Sequence, residues 1–161
     1  QGRGSFVKAV EGGYEIKVAG AAEETLVGKQ VIVATGSNAR ALPGVAFDEE
    51  NILSNDGALR IGAVPKKLGV IGSGVIGLEM GSVWKRLGAE VTILEALPDF
   101  LAACDTDIAR VAAREYKKQG LDIKLGCKVS AAEVKGEEVH ISYTDATGAA
   151  QTVVVDRLLV S

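Results

Sequence analysis

Three glycines and one glutamate carry the clearest chemical signal in this sequence. Gly72, Gly74 and Gly77 have the spacing G-x-G-x-x-G, and Glu95 follows at the end of the next apolar run. Such a turn presents backbone N–H groups and the positive end of a helix dipole to the phosphates of a dinucleotide. A carboxylate at the position of Glu95 can accept hydrogen bonds from a ribose diol and repels a 2′-phosphate. Because no arginine follows it at residues 96–98, the pattern predicts a site for NAD rather than NADP.

Each glycine of this turn meets a separate physical requirement. Gly72 permits the tight turn, Gly74 lacks the Cβ that would obstruct a pyrophosphate, and Gly77 allows helix and strand to pack closely. Glycine makes up 20 of the 161 residues, so a short glycine pattern alone would be weak evidence. The elements around the turn make the prediction specific.

Those elements follow from the apolar pattern. Residues 68–71 and 91–94 are short apolar runs, typical of strands that are buried on both faces. Residues 75–87 lie between them and have the apolar spacing of a helix. A second helix is predicted after Asp105, which can cap it, and residues 121–125 predict a third strand. Together these elements form a Rossmann-like βαβαβ parallel sheet.

Two stretches of alternating apolar and polar residues predict antiparallel β-meanders, one on each side of this unit in the chain. The second meander comprises residues 129–134, 138–144 and 152–155, followed by a buried strand at 157–160. The first meander comprises residues 5–10, 14–19 and 24–27, followed by a buried strand at 30–34. The predicted fold class is therefore α/β, a Rossmann-like sheet with an antiparallel meander and a further meander before it.

The buried strand predicted at residues 30–34 has no parallel sheet to join. We therefore expect exposed hydrophobic surface in residues 1–36, and we interpret the chain as a piece of a longer protein. Residues 38–64 contain Pro43 and several turn signals, which favour a connector with a short helix near residues 54–59.

Composition argues against several classes of function. The net charge is −3, basic residues are dispersed and aromatic residues make up only 4%, which disfavours nucleic-acid binding. No apolar run has the length of a membrane span and residues 1–4 do not resemble a signal peptide, so we expect a cytoplasmic protein without membrane contact. Cys104 and Cys127 are too far apart for a redox or zinc motif and are predicted to be free thiols. His140 is predicted to face outward from a strand, and no metal site is expected.

Three motifs resemble the flavin-dependent disulfide reductases, or pyridine nucleotide-disulfide oxidoreductases, and within them the dihydrolipoamide dehydrogenases. Residues 2–6 (Gly-Arg-Gly-Ser-Phe) and 31–37 (Val-Ile-Val-Ala-Thr-Gly-Ser) resemble the end of that family's FAD domain. Residues 42–44 and 54–59 resemble the stretch that joins its FAD and NAD domains. Residues 72–95 are similar to its NAD motif.

The resemblance implies a remnant of the FAD domain at residues 1–37, a connector at 38–64 and an NAD-binding domain at 65–161. The residues it assigns to NAD are Gly72, Ser73, Gly74, Val75, Ile76, Gly77, Glu79, Glu95 and Val129. Residues 72–76 would hold the pyrophosphate, Glu95 the adenosine ribose and Val129 the adenine, while Glu79 would face the nicotinamide–flavin junction. Gly4, Thr35 and Gly36 match positions that line FAD in the full-length parent, and Trp84 is predicted to be a core residue.

For the parent enzyme, the resemblance implies oxidation of the dihydrolipoyl groups of 2-oxo acid dehydrogenase complexes, through a disulfide and FAD to NAD. The implied partners are NAD(H), a lipoyl domain and the second subunit of a homodimer. The family's C-x-x-x-x-C disulfide and C-terminal His–Glu pair are not in this sequence, so the isolated chain is expected to bind NAD(H) without catalysis. Two alternatives stay open: the NAD(H)-binding portion of another flavoprotein disulfide reductase or NADH oxidase, and a stand-alone nucleotide-binding module.

Overall fold

The computed structural model describes all 161 residues, which divide into two compact units, Gln1–Asn38 and Ala39–Ser161. The first unit is an antiparallel sheet of three strands in the order β1-β2-β3. Its strands are β1 (Gly2–Val10), β2 (Gly13–Gly20) and β3 (Glu24–Gly28). The chain turns between β1 and β2 through Gly12, whose φ of +81° favours glycine. This sheet is the first of the two predicted meanders.

Residues 30–34 form no strand, so the prediction of a buried strand at this place is wrong. Ile32 is 90% exposed and Val33 is 72% exposed, as expected if the segment has no sheet to join. A strand needs neighbours for its backbone N–H and C=O groups, and the apolar run alone does not supply them. The expectation of exposed hydrophobic surface in residues 1–36 is confirmed.

The second unit is built on a parallel sheet of five strands, in the order β4-β11-β5-β6-β7. The elements of this unit follow in chain order: β4 (Ile52–Leu53), α1 (Asn55–Ala58), β5 (Lys67–Ile71), α2 (Val75–Arg86), β6 (Glu90–Leu94), α3 (Thr106–Lys118), β7 (Asp122–Lys124), β8 (Lys128–Lys135), β9 (Glu138–Thr144), β10 (Ala150–Val155) and β11 (Arg157–Val160). Strands β8, β9 and β10 form the second meander, an antiparallel sheet in the order β10-β9-β8. The α/β fold class is confirmed.

The last strand of the chain lies inside the parallel sheet rather than at its edge. Residues Arg157–Val160 of β11 pair with β5 on one side, and Leu158 and Leu159 pair with β4 on the other. Strand β4 was not predicted, because two apolar residues within a presumed connector give no periodic signal. The short helix expected near residues 54–59 is present as α1, capped by Ser54.

The core lies on both faces of the parallel sheet. Helix α2 covers one face, where Leu78, Met80 and Trp84 pack with residues of β5 and β6. The meander covers the other face, where Val139 and Ile141 of β9 pack with residues of β11. Alternate residues of a strand point to opposite faces, so the continuous apolar runs of the parallel strands serve both clusters. None of the three helices is long and apolar enough to cross a membrane.

Candidate dinucleotide site

The glycine turn lies at the carboxyl end of β5, where the sheet order changes direction. The chain continues from β5 to β6 on one side, while β11 occupies the other side. Ser161, the residue after β11, donates its backbone N–H to the Ile71 carbonyl oxygen at 3.0 Å. In open parallel sheets, ligands bind in the crevice outside the strand ends at such a switch point.

Two of the three glycines are required by close backbone approach. Gly72 has a φ of +102°, and a Cβ there would lie 2.5 Å from the carbonyl oxygen of Ser161. A Cβ on Gly77 would lie 2.2 Å from the carbonyl oxygen of Gly72, so no larger residue fits where α2 crosses the turn. Both contacts are with backbone atoms, which cannot move aside as a flexible side chain could.

Gly74 lies on the open side of the turn. No atom beyond its two chain neighbours lies within 4 Å of the position that its Cβ would occupy, and the residue is exposed. It is also the N-cap of α2, and no side chain caps this helix end. The N–H groups of the first turn of α2 have no partner within the helix. An uncapped helix end beside a cradle of backbone atoms fits a phosphate group.

Glu95 lies at the end of β6 and its carboxylate is bound to the glycine turn. Oε2 accepts from the backbone N–H of Ser73 at 2.7 Å and from the Ser73 hydroxyl at 2.9 Å. Oε1 accepts from the backbone N–H of Leu97 at 2.8 Å. Partial burial opposes ionisation, but these hydrogen bonds outweigh it and hold the pKa of Glu95 below its ordinary value. The group is a fixed carboxylate at neutral pH, as ribose binding and rejection of a 2′-phosphate would require.

The other predicted NAD contacts lie in α2 and β8. Val75 is 67% exposed and Ile76 is 48% exposed in the first turn of α2, and Glu79 lies one turn further on, also exposed. Val129 is half-buried near the start of β8, two residues after Cys127, whose N–H donates to the Glu95 carbonyl oxygen at 2.7 Å. The Glu95 carbonyl therefore binds the segment just before β8, while the Glu95 carboxylate binds the glycine turn.

The residues predicted to line FAD belong to the first unit. Gly4 lies in β1, while Thr35 and Gly36 follow β3, and all three are exposed. Gly36 has a φ of +71°, a backbone conformation that favours glycine.

The other reactive side chains have structural surroundings. Cys104 is half-buried, and Cys127 is buried, which raises the pKa of its thiol; both are free thiols, as predicted. His140 is half-buried between the buried residues Val139 and Ile141, and its Nε2 lies 3.8 Å from an oxygen of Glu138. Trp84 is a core residue, as predicted.

The sequence did not reveal three of the contacts that shape the site. Residues 72–76 were expected to hold the pyrophosphate, with no separate role for the Ser73 side chain; its hydroxyl is directed to Glu95, and the residue is 1% exposed. The Leu97 N–H on Glu95 and the packing of Ser161 against Gly72 were also missed. The contact between Ser73 and Glu95 could have been predicted from a serine within the G-x-G turn and a glutamate at the end of the next strand. The Ser161 contact depends on the position of β11 in the sheet, which local sequence does not encode.

Comparison with known proteins places these features in a family. Residues 3–161 match the family model described as pyridine nucleotide-disulphide oxidoreductase. The chain is 52% identical over its full length to a dihydrolipoyl dehydrogenase of Cupriavidus necator. It is 45% identical over 88% of its length to a mitochondrial dihydrolipoyl dehydrogenase of Schizosaccharomyces pombe. The crystal structure of LpdA from Mycobacterium tuberculosis is similar over 99% of this chain, with a TM-score of 0.81 and 28% identity.

These relatives are considerably longer than the chain. The chain covers 33% of the Cupriavidus protein, 27% of the yeast protein and 35% of the LpdA chain. It therefore spans about a third of the length of the relatives it matches.

Proposed function

The chain belongs to the pyridine nucleotide-disulphide oxidoreductase family, and from this premise we propose that it is the NAD-binding portion of a dihydrolipoyl dehydrogenase. The relatives compared above include two dihydrolipoyl dehydrogenases, one of them aligned over the whole chain. This similarity favours the proposal over a different flavoprotein reductase or a stand-alone nucleotide-binding module.

One observation carries the proposal for NAD: hydrogen bonds join the Glu95 carboxylate to the glycine turn. The open side of this turn, at Gly74, is also the uncapped N-terminus of α2. The turn and helix end would bind the pyrophosphate through backbone N–H groups, with residues 72–76 forming the cradle. Glu95 would accept a hydrogen bond from the adenosine ribose, and its negative charge would disfavour NADP. Val129 would contact the adenine, and Glu79 would face the nicotinamide.

In the whole enzyme, bound NAD would accept a hydride from reduced flavin, and this chain would supply binding and orientation. Residues 1–37 would belong to the FAD domain, with Gly4, Thr35 and Gly36 beside FAD. Residues 38–64 would connect the domains, and residues 65–161 would form the NAD domain. The whole enzyme would oxidise dihydrolipoyl groups carried by a lipoyl domain of a 2-oxo acid dehydrogenase complex and would be a homodimer.

We also propose a cytoplasmic location. The fission yeast relative is named as mitochondrial, and finding the full-length protein in mitochondria would contradict this proposal.

Titration of the 161-residue chain with NADH, followed by cofactor fluorescence, tests the proposal. We expect saturable binding that Glu95→Ala weakens by roughly tenfold or more, since a hydrogen bond to a charged group is lost. Glu90→Ala is the matched control, because Glu90 is an exposed glutamate at the other end of the same strand and should leave affinity unchanged. NADPH should bind the wild-type chain more weakly than NADH. No saturable binding, or equal effects of the two glutamate variants, would contradict the proposal.

A further inference from the structure

We propose that Ser73 is a positioning residue for NAD recognition: its buried hydroxyl and backbone N–H fix Oε2 of Glu95, so that Oε1 is the oxygen offered to the ribose. The inference rests on the proposed function, because it concerns the same site. The Ser73 side chain would act on cofactor specificity through Glu95.

The Ser73 side chain is turned into the protein, away from the open side of the glycine turn. The residue is 1% exposed, although its neighbour Gly74 is open to solvent. Its hydroxyl donates to Glu95 Oε2 at 2.9 Å, and its backbone N–H donates to the same oxygen at 2.7 Å. A buried hydroxyl engaged in this way is not available to a phosphate on the open side of the turn.

The two oxygens of the Glu95 carboxylate differ in the acceptor capacity that remains for a ligand. An ionised carboxylate has about four acceptor sites, two on each oxygen. Both Ser73 donors bind Oε2, so this oxygen has no free acceptor site. Oε1 accepts one hydrogen bond, from the backbone N–H of Leu97. Further acceptor capacity therefore lies on Oε1. Ser73 determines which oxygen meets the ribose, and it holds that oxygen in place before the cofactor arrives.

A fixed carboxylate also affects the selectivity between NADH and NADPH. A carboxylate held at two oxygens by three donors cannot rotate away from a 2′-phosphate, so its charge repels NADPH at full strength. Without the hydroxyl, Oε2 keeps only the backbone donor and the carboxylate gains freedom to turn. The affinity for NADH should fall and the discrimination against NADPH should weaken.

A double-mutant cycle of Ser73 and Glu95 in the 161-residue protein tests whether Ser73 acts on NADH through Glu95. We expect Ser73→Ala to weaken NADH binding roughly fivefold to tenfold, by the loss of one charge-assisted hydrogen bond. It should weaken NADPH binding less, so that the preference for NADH falls. In the Glu95→Ala background, Ser73→Ala should have no further effect, because the residue acts through the carboxylate.

Ser82→Ala provides the matched control. Ser82 is also a buried serine, but its hydroxyl donates to the Glu79 carbonyl oxygen within α2, and its loss should leave both affinities unchanged. An equal loss from Ser73→Ala with Glu95 present or absent would overturn the inference, as would a parallel loss for NADH and NADPH. If the wild-type chain binds NADH but Glu95→Ala does not alter affinity, the assignment of Glu95 fails first.

A cofactor-free measurement separates this inference from the proposed function. In carboxyl ¹³C NMR titrations, Ser73→Ala should raise the pKa of Glu95 toward its ordinary value, since a hydrogen bond to the charged form is lost. Ser82→Ala should leave the Glu95 titration unchanged. An unchanged Glu95 titration in Ser73→Ala would overturn the positioning role even if NADH binds as proposed.

Discussion

Two stretches of this chain share one sequence pattern, but only one of them forms a buried strand in the structure. Residues 26–34 and residues 153–161 each lead from the last strand of a meander into a run of large apolar side chains. In the second stretch, the run forms β11, an internal strand of the parallel sheet. In the first stretch, the run forms no strand and is exposed.

The difference lies in the surroundings and not in the residues. Strand β11 has β4 on one side and β5 on the other, so its backbone groups are paired and its side chains enter both core clusters. No sheet flanks residues 30–34 in their unit, whose three strands pair only with one another. An apolar run therefore predicts a capacity for burial, and a neighbouring strand is needed to realise it.

The largest difference in the free energy of unfolding is expected between truncations of two residues at equivalent positions. Leu159 and Ile32 occupy equivalent positions in the two stretches, but Leu159 is 0% exposed in the core and Ile32 is 90% exposed. Leu159→Ala should lower the free energy of unfolding by about 2–5 kcal/mol, through lost burial and a residual cavity. Ile32→Ala should change it by less than about 0.5 kcal/mol. Urea unfolding of the whole chain measures both values, and similar losses from the two variants would refute the contrast.

Sequence reasoning located most strands and helices because their signals are local. Residues 91–94 and 138–144 are readable from apolar runs or alternation, and the helix after Asp105 from its cap. Strand β4 escaped prediction because it has two residues and exists only as a neighbour of β11. The strand expected at residues 30–34 failed for the complementary reason, since its local signal has no partner in space.

The candidate site divides in the same way. Gly72, Gly77 and Glu95 were found from spacing, because a strand–turn–helix unit fixes their relative positions within one stretch of chain. The hydrogen bonds of Ser73 depend on which way a side chain turns after the strands have packed. Ser161 meets Gly72 only because the sheet places residues 72 and 161 side by side. Contacts of this second kind are set by topology and rotamers, which the linear pattern does not contain.

Removal of the Asp156 carboxylate should give the next largest loss of stability. Asp156 precedes β11, and its Oδ2 accepts from the backbone N–H groups of Lys66 at 2.7 Å and Lys67 at 3.0 Å. Asp156→Ala should destabilise the chain by about 1–3 kcal/mol, since hydrogen bonds to a charged acceptor are lost at the start of β5. Lys29→Ala, at the equivalent position of the first stretch, should stay within about 0.5 kcal/mol. Thermal and urea unfolding compare the two variants, and a larger loss from Lys29→Ala would reverse the conclusion.

The smallest expected effect is a difference in pH dependence between the turns of the two meanders. The turn after β1 depends on the φ of Gly12, a requirement that is independent of pH. The turn after β9 is held by Asp145, which accepts from the Thr147 hydroxyl at 2.6 Å and from Gln151 Nε2 at 3.0 Å. These side-chain donors, from Thr147 first and then Gln151, lower the pKa of Asp145 from 3.8 to about 2.

This lowered pKa fixes the sign of the pH dependence. A carboxyl group with a lower pKa in the folded chain contributes its full stability above the ordinary value of 3.8, and the contribution is lost as the pH falls toward about 2. The amide signals of Thr147 and Ala149, which donate to Asp145 Oδ1 at 2.9 and 3.1 Å, should therefore titrate with a midpoint of about 2. Asp145→Asn should abolish that titration and leave the signals of the Gly12 turn unchanged. A midpoint near 3.8 would mean that the side-chain bonds of Asp145 do not persist in solution, and the second meander would then lose this distinction from the first.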